Sequence, residues 1–201
     1  MDIINFLMWL SLIFYVACFI PQIVTNFKIK SGKGISDLML IGYLNAYLCL
    51  LFYIFFMNLP VSYKVMVPIA TCATYVLIGQ RLYYDTFSNI KRLSLIYGLN
   101  TLFFIISLPY FIHNSMAVGM FFGWSNFVFS VFNQLPQVIK MYREKSVVGF
   151  SFLFVLLFGF ASIFETIAVF SAQLPLPTCV NAFRAFIMFL IFSWQFYLYR
   201  G

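Results

Sequence analysis

Seven stretches of the chain are near-continuously apolar, at roughly 4–27, 37–57, 62–84, 93–112, 116–140, 152–172 and 177–199. Each reaches the length of about 20 residues that a helix needs to cross a hydrocarbon core. None alternates apolar and polar positions as a barrel strand does. The pattern therefore predicts an all-α integral membrane protein with seven transmembrane helices and no separate soluble domain.

The polar residues collect in the gaps, and their sign orients the chain. Lys28, Lys30 and Lys33, then Arg81, Lys91 and Arg92, then Lys140, Arg143 and Lys145 fall at the odd-numbered turns, with Arg200 after the last span. The opposite side carries only Lys64. Short loops rich in Lys and Arg stay on the cytoplasmic side, so the N-terminus is expected outside and the C-terminus in the cytoplasm. Arg184, the remaining basic residue, lies within span seven.

Composition narrows the class further. The 201 residues are 64% hydrophobic and 8% charged, against about 25% charged in soluble domains. That excludes a soluble globular enzyme and a disordered chain. The net charge of +7 is explained by the turn lysines and arginines and does not form a nucleic-acid-binding stripe. Cys18, Cys49, Cys72 and Cys179 show no metal or redox spacing and read as buried thiols. The N-terminal segment lacks a basic n-region and a cleavage site, so it reads as the first span. No HExxH, GxSxG or phosphate loop is present, and neither an enzymatic activity nor a cofactor is expected.

Sliding the sequence by 115 residues lays the first three spans on the last three without a gap. Trp9 falls on Trp124, Pro21-Gln22 on Pro136-Gln137, Lys30-Ser31 on Lys145-Ser146, Gly34 on Gly149, Ser36 on Ser151 and Gln80 on Gln195. Over residues 1–86 there are 20 identities, and polar and proline matches in register are not produced by apolar composition alone. Three spans reverse the chain, so a fourth must restore its direction. The expected organisation is 3+1+3: a first triple-helix bundle over 1–86, a linker helix over 87–115 and a second bundle over 116–201, with the two bundles parallel. Parallel repeats of this kind place a substrate site near the membrane midplane between them.

Each repeat carries Pro-Gln about two turns before the basic end of its first span. Proline removes a helix hydrogen bond, so a bend is expected at Pro21 and at Pro136. The amides of Gln22 and Gln137 are suited to satisfying a freed backbone group. Gly34 and Gly149 suit a positive-φ turn, and Ser36 and Ser151 suit N-caps. These pairs read either as kink, turn and cap alone or as hinges that open a gate.

The motif PQxxxN…KSxxGxS, carried by Pro21, Gln22, Asn26, Lys30, Ser31, Gly34 and Ser36, resembles the PQ-loop superfamily, which includes cystinosin, lysosomal cationic amino acid exporters, the SWEET sugar transporters and, more distantly, KDEL receptors. The second repeat keeps the pattern except that Met141 replaces the asparagine. The resemblance covers nearly the whole chain and is closest to the amino acid branch. It implies a SWEET-like fold and alternating access hinging at the two Pro-Gln sites, often coupled to protons. The sugar branch fits less well: SWEET-type pockets use Trp in spans two and six, where this chain has none, and Ala70 and Ala185 stand where asparagines are expected. Phe158 takes the place of the acidic residue of cystinosin-like relatives.

Glu165 and Arg184 are the deepest ionisable residues. Counted from Gln173 and Pro177 they lie about 12 Å and about 11 Å below the same surface, so they are able to pair. They form either a structural ion pair or a substrate or proton site, with Arg184 holding a carboxylate and Glu165 a proton or a cationic group. Their repeat mates, Leu50 and Ile69, are apolar. Asn126, Asn133, Asn181, Asn45 and Tyr47 complete the candidate substrate-binding set, alternatively serving as interhelical glue. His113 is expected at the outer surface, and Asp37 and Asp85 in local ion pairs. The expected partners are the lipid bilayer, a small-molecule substrate and protons, with no nucleic acid. The function expected is transport of small polar solutes, foremost amino acids and among them cationic ones. The alternatives are a sugar uniporter and a non-transporting receptor of the same fold. A bacterial inner membrane is favoured over a lysosomal or vacuolar one.

Overall fold

A computed structural model describes residues 2–32, 34–84, 97–99, 101–102, 105 and 116–199. The fourth expected span falls mostly outside this set, as do Lys33, Asp85, His113 and Arg200. The helices are α1 (Ile3–Ala17), α2 (Phe19–Ile29), α3 (Asp37–Phe56), α4 (Val61–Tyr84), α5 (Met116–Glu144), α6 (Phe152–Ser171) and α7 (Leu176–Tyr199). There is no strand among the described residues. With α1 and α2 taken together, six helices are long and apolar enough to cross a membrane, and their bounds fall within a few residues of the expected spans.

Helix boundaries follow local chemistry. Asp2 caps α1 by accepting from Ile4 N–H. Ser151 caps α6 by accepting from Phe154 N–H at 3.3 Å. Ser36 does not cap α3 through its hydroxyl. The positive-φ positions are distributed differently from expectation. Gly149 is left-handed at φ 80°, but Gly34 is not among the positive-φ glycines. The left-handed caps are instead Lys30 and Lys145, at φ 50° and 48°, and Asn58 and Gln173, at φ 48° and 51°. Each pair is related by the 115-residue shift. A non-glycine residue there costs roughly 1–2 kcal/mol. At the lysines a ring contact offsets part of it: Lys30 Nζ lies 4.4 Å from the centroid of Phe27, and Lys145 Nζ lies 3.7 Å from that of Tyr142.

The two proline sites also differ. Pro21 leaves the carbonyl of Ala17 without its usual donor, and α1 and α2 are separated by Cys18 alone, which keeps right-handed helical angles (φ −63°, ψ −24°). Pro136 lies inside α5, which continues unbroken to Glu144. The backbone thus continues helically through both proline sites, and the lost hydrogen bond marks a one-residue boundary only in the first repeat.

Within each repeat the third helix lies between the first and the second: α4 packs on α1, α2 and α3, and α7 packs on α5 and α6. Across the repeats α3 packs on α5 and α1 on α6, so the second helix of each repeat meets the first of the other. The α3–α5 approach depends on Gly42, where an added Cβ would lie 2.6 Å from Asn133 Cα. Corresponding loops of the two repeats meet at one end, called the basic end below, as parallel bundles require. The residue 97–102 region lies against α4, where Thr101 and Tyr75 hydroxyls are 2.9 Å apart.

Candidate functional site

At the basic end the two Pro-Gln loops interlock. Gln22 accepts from Ser151 N–H at 2.9 Å and donates to the Gly149 carbonyl at 3.0 Å. Gln137 accepts from Ser36 N–H at 2.8 Å and donates to the Gly34 carbonyl at 3.2 Å. Each glutamine thus satisfies a donor and an acceptor in the other repeat, and neither serves the proline-freed carbonyl of its own helix. Both side chains are fully buried. Between them the backbones of Gly34 and Gly149 are in contact, and a Cβ on Gly34 would collide with the Gly149 carbonyl. Close approach is what requires glycine at position 34.

A second layer supports each latch. Gln80 donates to the Ile23 carbonyl at 3.0 Å and Gln195 to that of Val138 at 2.9 Å, again at matched positions. In the first repeat Asn26 joins the layers, donating to Gln80 Oε1 at 3.2 Å and accepting from Gln22 Nε2 at 2.9 Å. In the second repeat Met141 cannot do so, and Gln195 Oε1 is buried without a partner. Asp37, at the start of α3, pairs with Arg81 (Nε–Oδ1 2.6 Å, Nη2–Oδ2 3.1 Å).

Above the latch, in the middle of the bundle, a cavity of about 80 Å³ lies between the repeats. Glu165 and Arg184 both line it, and no salt bridge joins them, so the first of the two readings, a structural ion pair, is not what the structure shows. Glu165 accepts from Tyr63 Oη at 2.8 Å, and Tyr15 lines the same cavity. Arg184 donates through Nε to Asn181 Oδ1 at 3.0 Å and through Nη1 to the Ser130 carbonyl at 2.8 Å and Gln134 Oε1 at 2.5 Å. Good neutral acceptors hold the guanidinium, which leaves the carboxylate to the Tyr63 phenol.

The structure brings Asn126, Asn133, Asn181 and Tyr47 to the same cavity. Asn126 ties α5 to α3 through the Ala46 carbonyl at 2.7 Å and accepts from Asn181 at 3.2 Å. Asn45 stands apart: its amide returns to the Ile41 carbonyl of its own helix at 3.0 Å. Gln134, a polar residue of span five, meets Arg184, whereas Tyr63 and Ser130 contact the charged groups without a sequence signal that ties them there. The other wall is aromatic and aliphatic, including Phe19, Tyr43, Met66 and Phe158. Cys72 is exposed on α4, whereas Cys18, Cys49 and Cys179 are buried.

At the opposite end the repeats also touch. Tyr53 and Thr178 hydroxyls are 2.9 Å apart, and the Phe52 and Phe122 rings stack with centroids 4.6 Å apart.

Two parallel three-helix repeats that enclose a polar cavity and seal it with interlocked Pro-Gln loops define an integral membrane protein of duplicated architecture. The chain belongs to the PQ-loop repeat family, whose model matches it twice, over residues 3–63 and 118–178. The two matches are offset by the same 115 residues as the internal repeat. Among solved structures it is similar to a eukaryotic SWEET transporter determined at 3.7 Å, with a TM-score of 0.76 and 15% identity over 98% of this chain and 96% of that one. That likeness establishes a SWEET-like fold. None of the curated proteins compared matches the sequence.

Proposed function

We propose that this protein transports small polar solutes, amino acids foremost, by alternating access between two triple-helix bundles, 1–86 and 116–201, joined by 87–115. One observation carries the reading: Glu165 and Arg184 face a common cavity at the repeat interface without neutralising each other. Two charges so deep in a membrane protein are costly unless a partner or an aqueous path meets them. A solute bearing complementary charges supplies that partner. The transport class itself is supported by family membership and by the shared fold of the SWEET transporter.

In this reading the Pro-Gln loops form the gate on the cytoplasmic side, and the bends at Pro21 and Pro136 let the basic ends of the first helices swing. Glu165 carries the proton where transport is proton-coupled. The test is uptake by the purified chain in proteoliposomes, with and without a pH gradient. Glu165→Gln is expected to abolish gradient-driven amino acid uptake, and wild-type uptake by that variant would refute the role of Glu165.

A further inference from the structure

The groups left open in the cavity narrow the solute, on the reading above that this cavity is the transport site. Arg184 commits Nε and Nη1 to Asn181, Ser130 and Gln134, while no hydrogen bond engages Nη2, which is not a buried orphan either. It therefore remains accessible from the cavity. Asn133 is 2% exposed, lines the same cavity, and its Oδ1 is buried without a partner. A buried amide left unpaired is uncommon and costly in a folded protein. Its position is enforced, because Gly42 packs directly against it. Glu165 faces this pair from α6.

The cavity thus presents one guanidinium with a free donor edge, one carboxylate, one unpaired amide oxygen and the unpaired phenol of Tyr43. Among the described residues lining it there is no second acid and no second base. We propose that the site takes a neutral α-amino acid as its zwitterion. The substrate carboxylate binds Arg184 Nη2, the ammonium lies between Glu165 and the amide oxygen of Asn133, and a small side chain rests on the aromatic wall. The net charge of site and ligand is then zero, and the guanidinium, the carboxylate and the Asn133 amide oxygen each gain a partner. Lysine or arginine would bring a second positive charge with no acid to meet it, and an unpaired charge in such a site is strongly disfavoured. A sugar would leave both fixed charges without counter-charges. The small volume points the same way, since sites for drug-sized ligands span about 300–1,000 Å³.

The experiment is proteoliposome uptake of labelled alanine, serine, lysine, arginine and glucose by the full chain. Unlabelled alanine methyl ester, which lacks the carboxylate, and lactate, which lacks the ammonium, serve as competitors. Alanine or serine is expected to enter at least about tenfold faster than lysine or arginine, a difference of about 1.4 kcal/mol, with neither competitor effective. Lysine flux equal to alanine flux, or competition by the ester, overturns the zwitterion assignment while the amino acid reading stands. Glucose flux alone, or no flux of any solute, overturns both. Asn133→Asp adds the missing acid and is expected to shift the ratio toward lysine by about tenfold. An unchanged ratio in a variant that still elutes as a folded protein removes Asn133 from the site. If that variant does not fold, Asn133→Ser, expected to weaken alanine uptake, decides the same point.

Discussion

The two repeats share a backbone plan but face the cavity with different chemistry. The second supplies Asn126, Ser130, Asn133, Gln134, Glu165, Asn181 and Arg184. The positions matching these in the first repeat are Ser11, Tyr15, Cys18, Phe19, Leu50, Met66 and Ile69, so the polar set is met mostly by aromatic and apolar residues. At the basic end the comparison reverses. Pro-Gln, the glycine, the serine and the supporting Gln80 or Gln195 recur in both repeats and make the same contacts in mirror fashion. Duplication is kept where the two halves meet at the basic end and has diverged at the cavity proposed as the solute site.

Even at the basic end the match is partial. Asp37–Arg81 occupies the positions that Phe152–Phe196 occupies in the second repeat, where two rings lie with centroids 5.4 Å apart. An ion pair and a ring pair hold the same second-to-third helix joint. The first repeat has a one-residue boundary at Cys18 and the complete Asn26 network, whereas the second has a single continuous helix and an orphaned amide.

The largest effect is expected where the repeats differ most. Arg184→Gln removes the only base among the described residues lining the cavity and leaves Glu165 as an unbalanced buried charge. Truncating one member of such a charge set costs about 2–5 kcal/mol, so uptake is expected to fall at least ~30-fold while helical content by circular dichroism is retained. The change at the matched first-repeat position, Ile69→Ala, is expected to have little effect, since Ile69 is 46% exposed on the outside of its span and is not among the residues lining the cavity. Equal losses in the two variants would show that the asymmetry has no bearing on transport.

Next come the latches. Gln22→Leu and Gln137→Leu each strand two part-buried backbone groups in the opposite loop, at up to about 1–3 kcal/mol per group. Both are expected to lower the melting temperature in detergent and to expose the basic end to a membrane-impermeant thiol reagent at Ser36→Cys or Ser151→Cys. Gln22→Leu is expected to do more, because it also breaks the bond to Asn26. A larger effect of Gln137→Leu would reverse the ranking of the two latches.

The hinges follow, with a smaller effect. Pro21→Ala restores a donor to the Ala17 carbonyl and is expected to rejoin α1 and α2, slowing transport several-fold (on the order of 1 kcal/mol in the barrier). Pro136→Ala acts on a helix that is already continuous and is expected to slow it less. Uptake rates of the two variants compared at saturating solute check this. Similar slowing would mean that the boundary at Cys18 is not the softer joint.

How far these features were legible in the sequence depends on how far apart the interacting residues lie. Span positions, the repeat and the all-helical fold rest on local hydropathy and on register, and both are visible in one dimension. The presence of Glu165 and Arg184 in one cavity was within reach of depth counting. Their failure to pair was not, because Tyr63 and Gln134 are brought to them by packing across helices. The Gln22–Ser151 and Gln137–Ser36 bonds join residues more than 100 positions apart, so the motif pointed to Pro-Gln as a functional element without indicating which groups the glutamine serves. Gly34 was misread for a related reason. A glycine required by a facing backbone is indistinguishable in sequence from one required by positive φ, and the left-handed turn fell on lysine.

The smallest effect tests whether the second latch is incomplete by chance or by balance. Met141 is 1% exposed and sits where Asn26 completes the first network. Met141→Asn places an amide within the layer that leaves Gln195 Oε1 buried and unpaired. A hydrogen bond there is worth about 0.5–1.5 kcal/mol, and losing a buried methionine side chain costs a similar amount or more. The two nearly cancel, so the expected change in thermal stability is small, within about 1 kcal/mol. The informative readout is therefore the gate. If the second latch is held weaker so that it releases first, Met141→Asn slows transport and reduces thiol labelling at the basic end while stability stays level. Unchanged transport and labelling would mean that the orphaned amide has no part in gating, and that the repeats differ there only in packing.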